Sequence, residues 1–164
     1  MRIRSEFGQE IVTASACLLL GRLVGASETV KMEQPRMTVR QRVLVADDDR
    51  DICTLLQIVL APLAEVTLVN DAESALALVA SQPPFDAIVS DYMLPGIDGL
   101  EFVSRLRSGE RDRHVPILMI SGHGRLVGDR AREAGCDAFL DKPFTLEKLR
   151  STVRDLLLPT LRCA

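Results

Sequence analysis

Five short apolar runs alternate with five stretches of helical period between residues 41 and 158, and this rhythm narrows the possible folds more than any other feature of the chain. The runs, at 42–46, 65–69, 85–90, 115–120 and 137–140, are nearly continuous in their apolar character. Short continuous runs are what strands covered on both faces look like. Between them, Ile52, Leu55, Leu56, Val59 and Leu60 recur at helical spacing, as do Ala72, Ala75, Leu76, Val79 and Ala80. A third helix runs through Leu100, Val103 and Leu106, and a fourth ends near Ala134 and Gly135. The fifth carries Leu146, Leu149, Val153, Leu156 and Leu157. Pro62, the pair Pro83 and Pro84, and Pro159 mark helix ends, while Asn70, Asp71 and Thr145 stand where caps are needed. Successive strand–helix units of this length require right-handed crossovers. The fold class is therefore α/β, a doubly wound five-stranded parallel sheet with helices on both faces.

Composition supports a packed domain and excludes two other classes. With 47% apolar residues in 164, the chain has enough apolar side chains for a core. The longest strongly apolar stretch, residues 12–26, is broken by Ser15 and Arg22 and falls short of the ~20 residues of a membrane span. A net charge of −3 offers no large basic block, and one tyrosine with no tryptophan leaves few stacking platforms for nucleic acid. About six residues follow the last helix, so no helix-turn-helix is expected and neither is direct DNA contact. Cys17, Cys53, Cys136 and Cys163 form no C-x-x-C pair, and His114 and His123 complete no zinc ligand set. A reducing, cytoplasmic setting is expected, with Cys53 on a buried helix face.

Residues 1–40 stand apart, with a net charge of +2 and no sustained periodicity. Residues 11–24 have the composition of a short apolar helix, and the stretch loosely resembles a secretory signal. Glu6 and Glu10 spoil its positive start. The segment is read as a flexible extension, or as sequence upstream of an initiator at Met32 or Met37. Residues 41–158 form the domain and 159–164 a tail.

In open parallel sheets the functional site lies beyond the carboxyl ends of the strands. Here the first strand ends in Asp47, Asp48 and Asp49, the third in Ser90 and Asp91, the fourth in Ser121, and the fifth in Asp141, Lys142 and Pro143. Clustered carboxylates repel unless a cation neutralises them. Magnesium, which keeps several waters and pairs with phosphate oxygens, suits such a set. Lys142 and Ser121 add the positive charge and the hydrogen-bond donor that phosphoryl transfer requires. Each residue alone has an ordinary reading as helix cap, turn acid, surface lysine or loop hydroxyl; their joint position at successive strand ends carries the argument.

The stretches Val43-Leu-Val-Ala-Asp-Asp-Asp49, Asp91-Tyr-Met-Leu-Pro-Gly-Ile-Asp-Gly99, Ile117-Leu-Met-Ile-Ser121 and Phe139-Leu-Asp-Lys-Pro-Phe144 resemble the receiver domain of bacterial two-component response regulators. The resemblance is to the stand-alone, chemotaxis-regulator-like type, covers residues 41–158, and implies a flavodoxin-like strand order of 2-1-3-4-5. It implies that Asp91 accepts a phosphoryl group from a sensor histidine kinase or a histidine phosphotransfer protein. Asp48, Asp91 and the backbone carbonyl of Met93 would bind Mg2+ directly, and Asp47 through water. Lys142 would pair with the phosphoryl oxygens, Ser121 would donate to one of them, and Phe139 would be the aromatic that turns inward with Ser121. Met93 and His123 occupy positions that tune dephosphorylation; neither is a carboxylate or amide, so a persistent phosphoryl group is expected. Gly122 supplies the small residue beside the phosphate, Arg50 adds a cation near the acids, and His114 lies at the opposite end of the sheet.

The resemblance further implies an output surface on the fourth helix, fifth strand and fifth helix. The product is a signalling phosphoprotein, monomeric or a phosphorylation-linked homodimer, and not an enzyme beyond promoting its own phosphorylation and dephosphorylation. Two rivals remain at this level. One is a degenerate receiver that acts only by binding. The other is a phosphatase, because Asp47-x-Asp49 after a strand also resembles the haloacid-dehalogenase nucleophile motif; that reading needs Asp49 in the chemistry and leaves Asp91 and Pro95 unexplained.

Overall fold

A computed structural model describes residues 40–110 and 113–158; the expectations for residues 1–39 and 159–164, with Cys17 and Cys163, lie outside them. The elements run β1 (Arg42–Ala46), α1 (Arg50–Leu60), β2 (Glu65–Val69), α2 (Ala72–Ser81), β3 (Ala87–Asp91), α3 (Gly99–Ser108), β4 (Ile117–Ser121), α4 (Arg125–Ala134), β5 (Ala138–Asp141) and α5 (Leu146–Leu157). All four strand pairings are parallel and the order is β2-β1-β3-β4-β5, as expected. The chain leaves β1 toward one edge and β3 toward the other, so the switch point lies between these two neighbours.

Residues alternate across each strand and divide the core in two. Leu44, Ile88, Ile117 and Met119 pack on the face shared with α2, α3 and α4. Val43, Val45, Val89, Leu118 and Ile120 pack on the other with Leu56, Leu60, Leu149 and Val153 of α1 and α5. Helix starts follow local chemistry. Asp49, Asp71, Asp98 and Thr145 each accept a backbone N–H of the first turn, which satisfies one of the donors every helix start leaves open.

The boundaries of β3, β4 and β5 shift from the sequence reading at both ends. β3, β4 and β5 end at Asp91, Ser121 and Asp141 rather than one residue earlier, because the ladder pairs Asp91 with Ile120 and Ser121 with Asp141. The polar residues are thus the last rungs of the sheet, held by its hydrogen bonds. β4 also starts later than expected, after Pro116, which has no N–H to give. Two positions placed on apolar helix faces are exposed, Ala80 and Leu146, because the apolar stripe is wider than the surface the sheet covers. Phe102, absent from the expected stripe of α3, is fully buried; α3 packs against α2 and α4 as well as the sheet, which widens its covered face. Cys53 is buried as expected, and burial pushes the Cys136 thiol up to about 12. Among the described residues no helix is long and apolar enough to cross a membrane.

Candidate functional site

The switch point places Asp47, the residue after β1, beside Asp91, the last residue of β3. Both are almost fully buried, at 1% and 6% exposure. The Lys142 ammonium reaches between them, 2.5 Å from Asp91 Oδ1 and 3.6 Å from Asp47 Oδ2. Lys142 follows β5, and its backbone N–H donates to the Ser121 carbonyl at 2.7 Å, which ties the lysine to the end of β4. The Lys142–Pro143 peptide is cis.

Both oxygens of Asp91 are engaged, since Oδ2 accepts the Met93 N–H at 2.6 Å. Asp47 is not satisfied in this way. Its Oδ1 accepts the Asp49 N–H at 2.9 Å, but its Oδ2 is buried with no hydrogen-bond partner. Burial, and then the nearby charges of Asp91 and Asp48, push the Asp47 carboxyl above the ordinary carboxylate range against the opposing pull of the Asp49 N–H and Lys142. Burial works against the Lys142 ammonium, yet the hydrogen bond and charge of Asp91, with help from Asp47, outweigh it and raise its pKa. A buried acid pair with one cation is left short of positive charge.

The three consecutive acids divide their roles by direction. Asp47 points into the site, Asp48 is exposed, and Asp49 is spent on capping α1, accepting from Asp51 at 2.9 Å and Ile52 at 3.3 Å. Sequence reasoning placed Asp48 in direct contact with the metal and Asp47 behind water; here Asp47 stands nearest Asp91 and Lys142. Among the described residues no three His, Cys, Asp or Glu side chains form a ready-made metal cage. The donor set nevertheless fits magnesium, which binds through one or two carboxylates and keeps several waters. Asp47 Oδ2, buried without a hydrogen bond and with only the shared Lys142 ammonium at 3.6 Å, is the observation that asks for a further cation.

Ser121 is fully buried, and its Oγ accepts the His123 N–H at 3.1 Å. Met93 is exposed beside the site and Gly122 is open to solvent, with nothing within 4 Å of where a Cβ would stand. Phe139 is half-buried against Gly128 of α4. It also lines an open groove of about 510 Å3 with Gly128, Asp129, Arg132 and Asp141. His114 is exposed before β4, at the far end of the sheet from the acids.

Two glycines have backbone reasons, one a close approach and the other a positive φ. A Cβ on Gly99 would stand 2.5 Å from the Asp91 carbonyl and 3.0 Å from Tyr92 Cα, so only glycine lets α3 start this close to the end of β3. Gly124, at φ 66°, starts α4 and donates its N–H to Asp141 Oδ1 at 3.1 Å. Sequence reasoning missed the parts played by Asp141 and Cys53, whose Sγ stands 3.1 Å from the Asp47 carbonyl. It also missed the edge-to-face contact of Tyr92 with His123, whose ring centroids are 5.5 Å apart. Loop side chains from different strand ends leave no periodic trace in sequence.

A five-stranded sheet of this order, with a buried acid pair and a lysine at its switch point, defines a flavodoxin-like receiver fold. The response regulator receiver domain model matches residues 43–154, and the chain belongs to that family, the receiver domains of two-component response regulators. It is 42% identical over 119 residues to the response regulator MprA of Mycolicibacterium vanbaalenii, covering 71% of this chain and 50% of that protein. The chain thus spans about half the length of the curated relatives it matches. The structure resembles the chemotaxis response regulator CheY4 of Vibrio cholerae, with a TM-score of 0.67, 30% identity, and coverage of 72% of this chain and 99% of that one. It also resembles the beryllofluoride-activated DrrB receiver domain, with a TM-score of 0.65, 25% identity, and coverage of 72% and 97%.

Proposed function

We propose that the Asp91 carboxylate accepts a phosphoryl group from a phosphohistidine on a sensor kinase or phosphotransfer protein, and that the acyl phosphate changes which proteins the domain binds. The observation that carries this reading is the buried Asp91 carboxylate in contact with Lys142 at the sheet's switch point. In the transfer, an Asp91 oxygen attacks phosphorus as the bond to the histidine nitrogen breaks. Lys142 follows the charge onto the phosphoryl oxygens, and the Ser121 hydroxyl donates to one of them. Asp48, Asp91 and the Met93 carbonyl would hold Mg2+, with Asp47 reached through water; the ion supplies charge neutralisation. The protein is not a turnover enzyme on this reading. Asp49, committed to its cap, is unsuited to the role a haloacid-dehalogenase-type phosphatase would give it.

Phe139 and the groove beside it, lined from α4 and β5, would form part of the output surface expected on α4, β5 and α5. Phosphorylation would act there by drawing the Ser121 hydroxyl toward the phosphate and letting Phe139 follow inward, a two-state element biased by local charge.

The test is phosphate incorporation from acetyl phosphate with and without Mg2+, comparing wild type with Asp91→Asn on a phosphate-affinity gel. A Mg2+-dependent shifted band that disappears in Asp91→Asn is expected. Absence of a band in wild type would leave the domain an interaction module only. In a chase without donor the band should outlast many seconds, since neither Met93 nor His123 is built to orient an attacking water.

A further inference from the structure

The hydroxyl of Ser121 has one proton to give and two lone pairs. One lone pair takes the His123 N–H, and the hydroxyl is fully buried. A buried hydroxyl proton without an acceptor is unfavourable. The His123 Nδ1 lies 3.5 Å from Ser121 Oγ, at the long limit of a hydrogen bond. The ring is held there by its edge-to-face contact with Tyr92, the residue directly after Asp91. Meanwhile the Ser121 carbonyl is fixed by the Lys142 N–H, and the loop beyond His123 is pinned by the Gly124–Asp141 bond. The backbone is anchored on both sides, and the hydroxyl is the part left able to turn.

We propose that His123 is a positioning residue for the switch hydroxyl: in the resting protein its neutral ring, protonated at Nε2, accepts a hydrogen bond from Ser121 Oγ at Nδ1 and keeps that hydroxyl turned away from Asp91. The inference rests on the phosphoacceptor reading above. When a phosphoryl group or its mimic occupies Asp91, the proton turns to a phosphoryl oxygen and the long contact to Nδ1 is given up. Because that contact is weak, His123 sets the resting bias of the switch without locking it. Removing the acceptor destabilises the resting state alone, so it favours the occupied state by the same factor.

Three substitutions separate the acceptor from the ring. His123→Phe keeps a ring edge for Tyr92 and removes the acceptor; His123→Asn keeps a polar atom at the Nδ1 position and removes the ring; Ser121→Ala removes the proton. The measured quantity is the apparent Kd for beryllofluoride at saturating Mg2+, followed by calorimetry and by the fluorescence of Tyr92, the only tyrosine in the chain. His123→Phe should bind about threefold to tenfold tighter than wild type, the range expected for loss of one weak hydrogen bond. His123→Asn should lie within about twofold of wild type, and in the Ser121→Ala background His123→Phe should change nothing further. Equal affinities for wild type and His123→Phe would overturn the proposal, as would a pattern in which His123→Asn alone departs from wild type, since that would make ring packing the cause. Wild-type protein that binds no beryllofluoride would instead remove the phosphoacceptor reading, and this inference with it.

Discussion

Asp47 shows how one buried oxygen records a missing charge. Its carboxyl is held above its ordinary range, chiefly by burial, so folding favours protonation of Asp47 relative to the unfolded chain. A carboxyl raised in this way stabilises the fold at acidic pH, and the contribution is lost as pH rises through the folded value. At neutral pH without divalent metal, the ionised Asp47 therefore weakens the fold. Asp47→Asn should raise metal-free stability at pH 7 by about 1–2 kcal/mol in urea unfolding, the scale of one buried polar group left unpaired. The gain should shrink toward pH 4, and the variant should bind Mg2+ more weakly than wild type. A variant less stable than wild type at neutral pH would mean that Lys142 already satisfies the acid.

At the level of elements, the loop from Asp91 to α3 carries the tightest steric demands. Gly99→Ala places a methyl group against backbone atoms that cannot yield as a side chain would. It should cost about 1–3 kcal/mol in urea unfolding and slow phosphoryl uptake by Asp91, because the Asp91 carbonyl is what the methyl group strikes. Gly122→Ala, with open space around it, should stay within about 0.5 kcal/mol of wild type. The contrast matters because both are glycines next to the site in sequence. Spacing alone does not tell them apart, since a close approach between α3 and the end of β3 exists only after the sheet has set their distance.

Across the whole molecule the two ends of the sheet have different tasks. The carboxyl end gathers the acids, the hydroxyl and the lysine. The opposite end is joined by Arg107 at the close of α3, which donates to the carbonyls of Gly135 at 2.9 Å, Val115 at 2.9 Å and Arg113 at 3.1 Å, and pairs with Asp137 at 2.9 Å. Asp137 Oδ2 also accepts the Ile117 N–H, so the cluster ties α3, α4 and the starts of β4 and β5 together. Arg107→Ala should lower stability by about 2–3 kcal/mol, since charge-assisted bonds and several carbonyls lose their donor together. Phosphoryl uptake per folded molecule should be unchanged; a loss of uptake in protein that is still folded would show that the two ends are coupled.

Much of this is legible in the amino-acid sequence itself. The 3.6-residue period and the continuous apolar runs determined the element order, because each pattern can be buried in only one kind of backbone, and parallel sheets need crossovers of that length. They also determined that Asp47, Asp91, Ser121 and Lys142 come to one edge, since every strand of a parallel sheet ends on the same side. What tertiary structure decided is direction and distance. Of three consecutive acids, the backbone turn after β1 sends Asp47 inward, leaves Asp48 in solvent and commits Asp49 to α1. The register of β4 against β5 carries Ser121 and Asp141 into the last rung, and the loop geometry beyond β4 lays His123 between Ser121 and Tyr92. Those relations depend on residues as far apart in sequence as Asp47 and Lys142 being held by the same sheet, and a local pattern in sequence contains no measure of that separation.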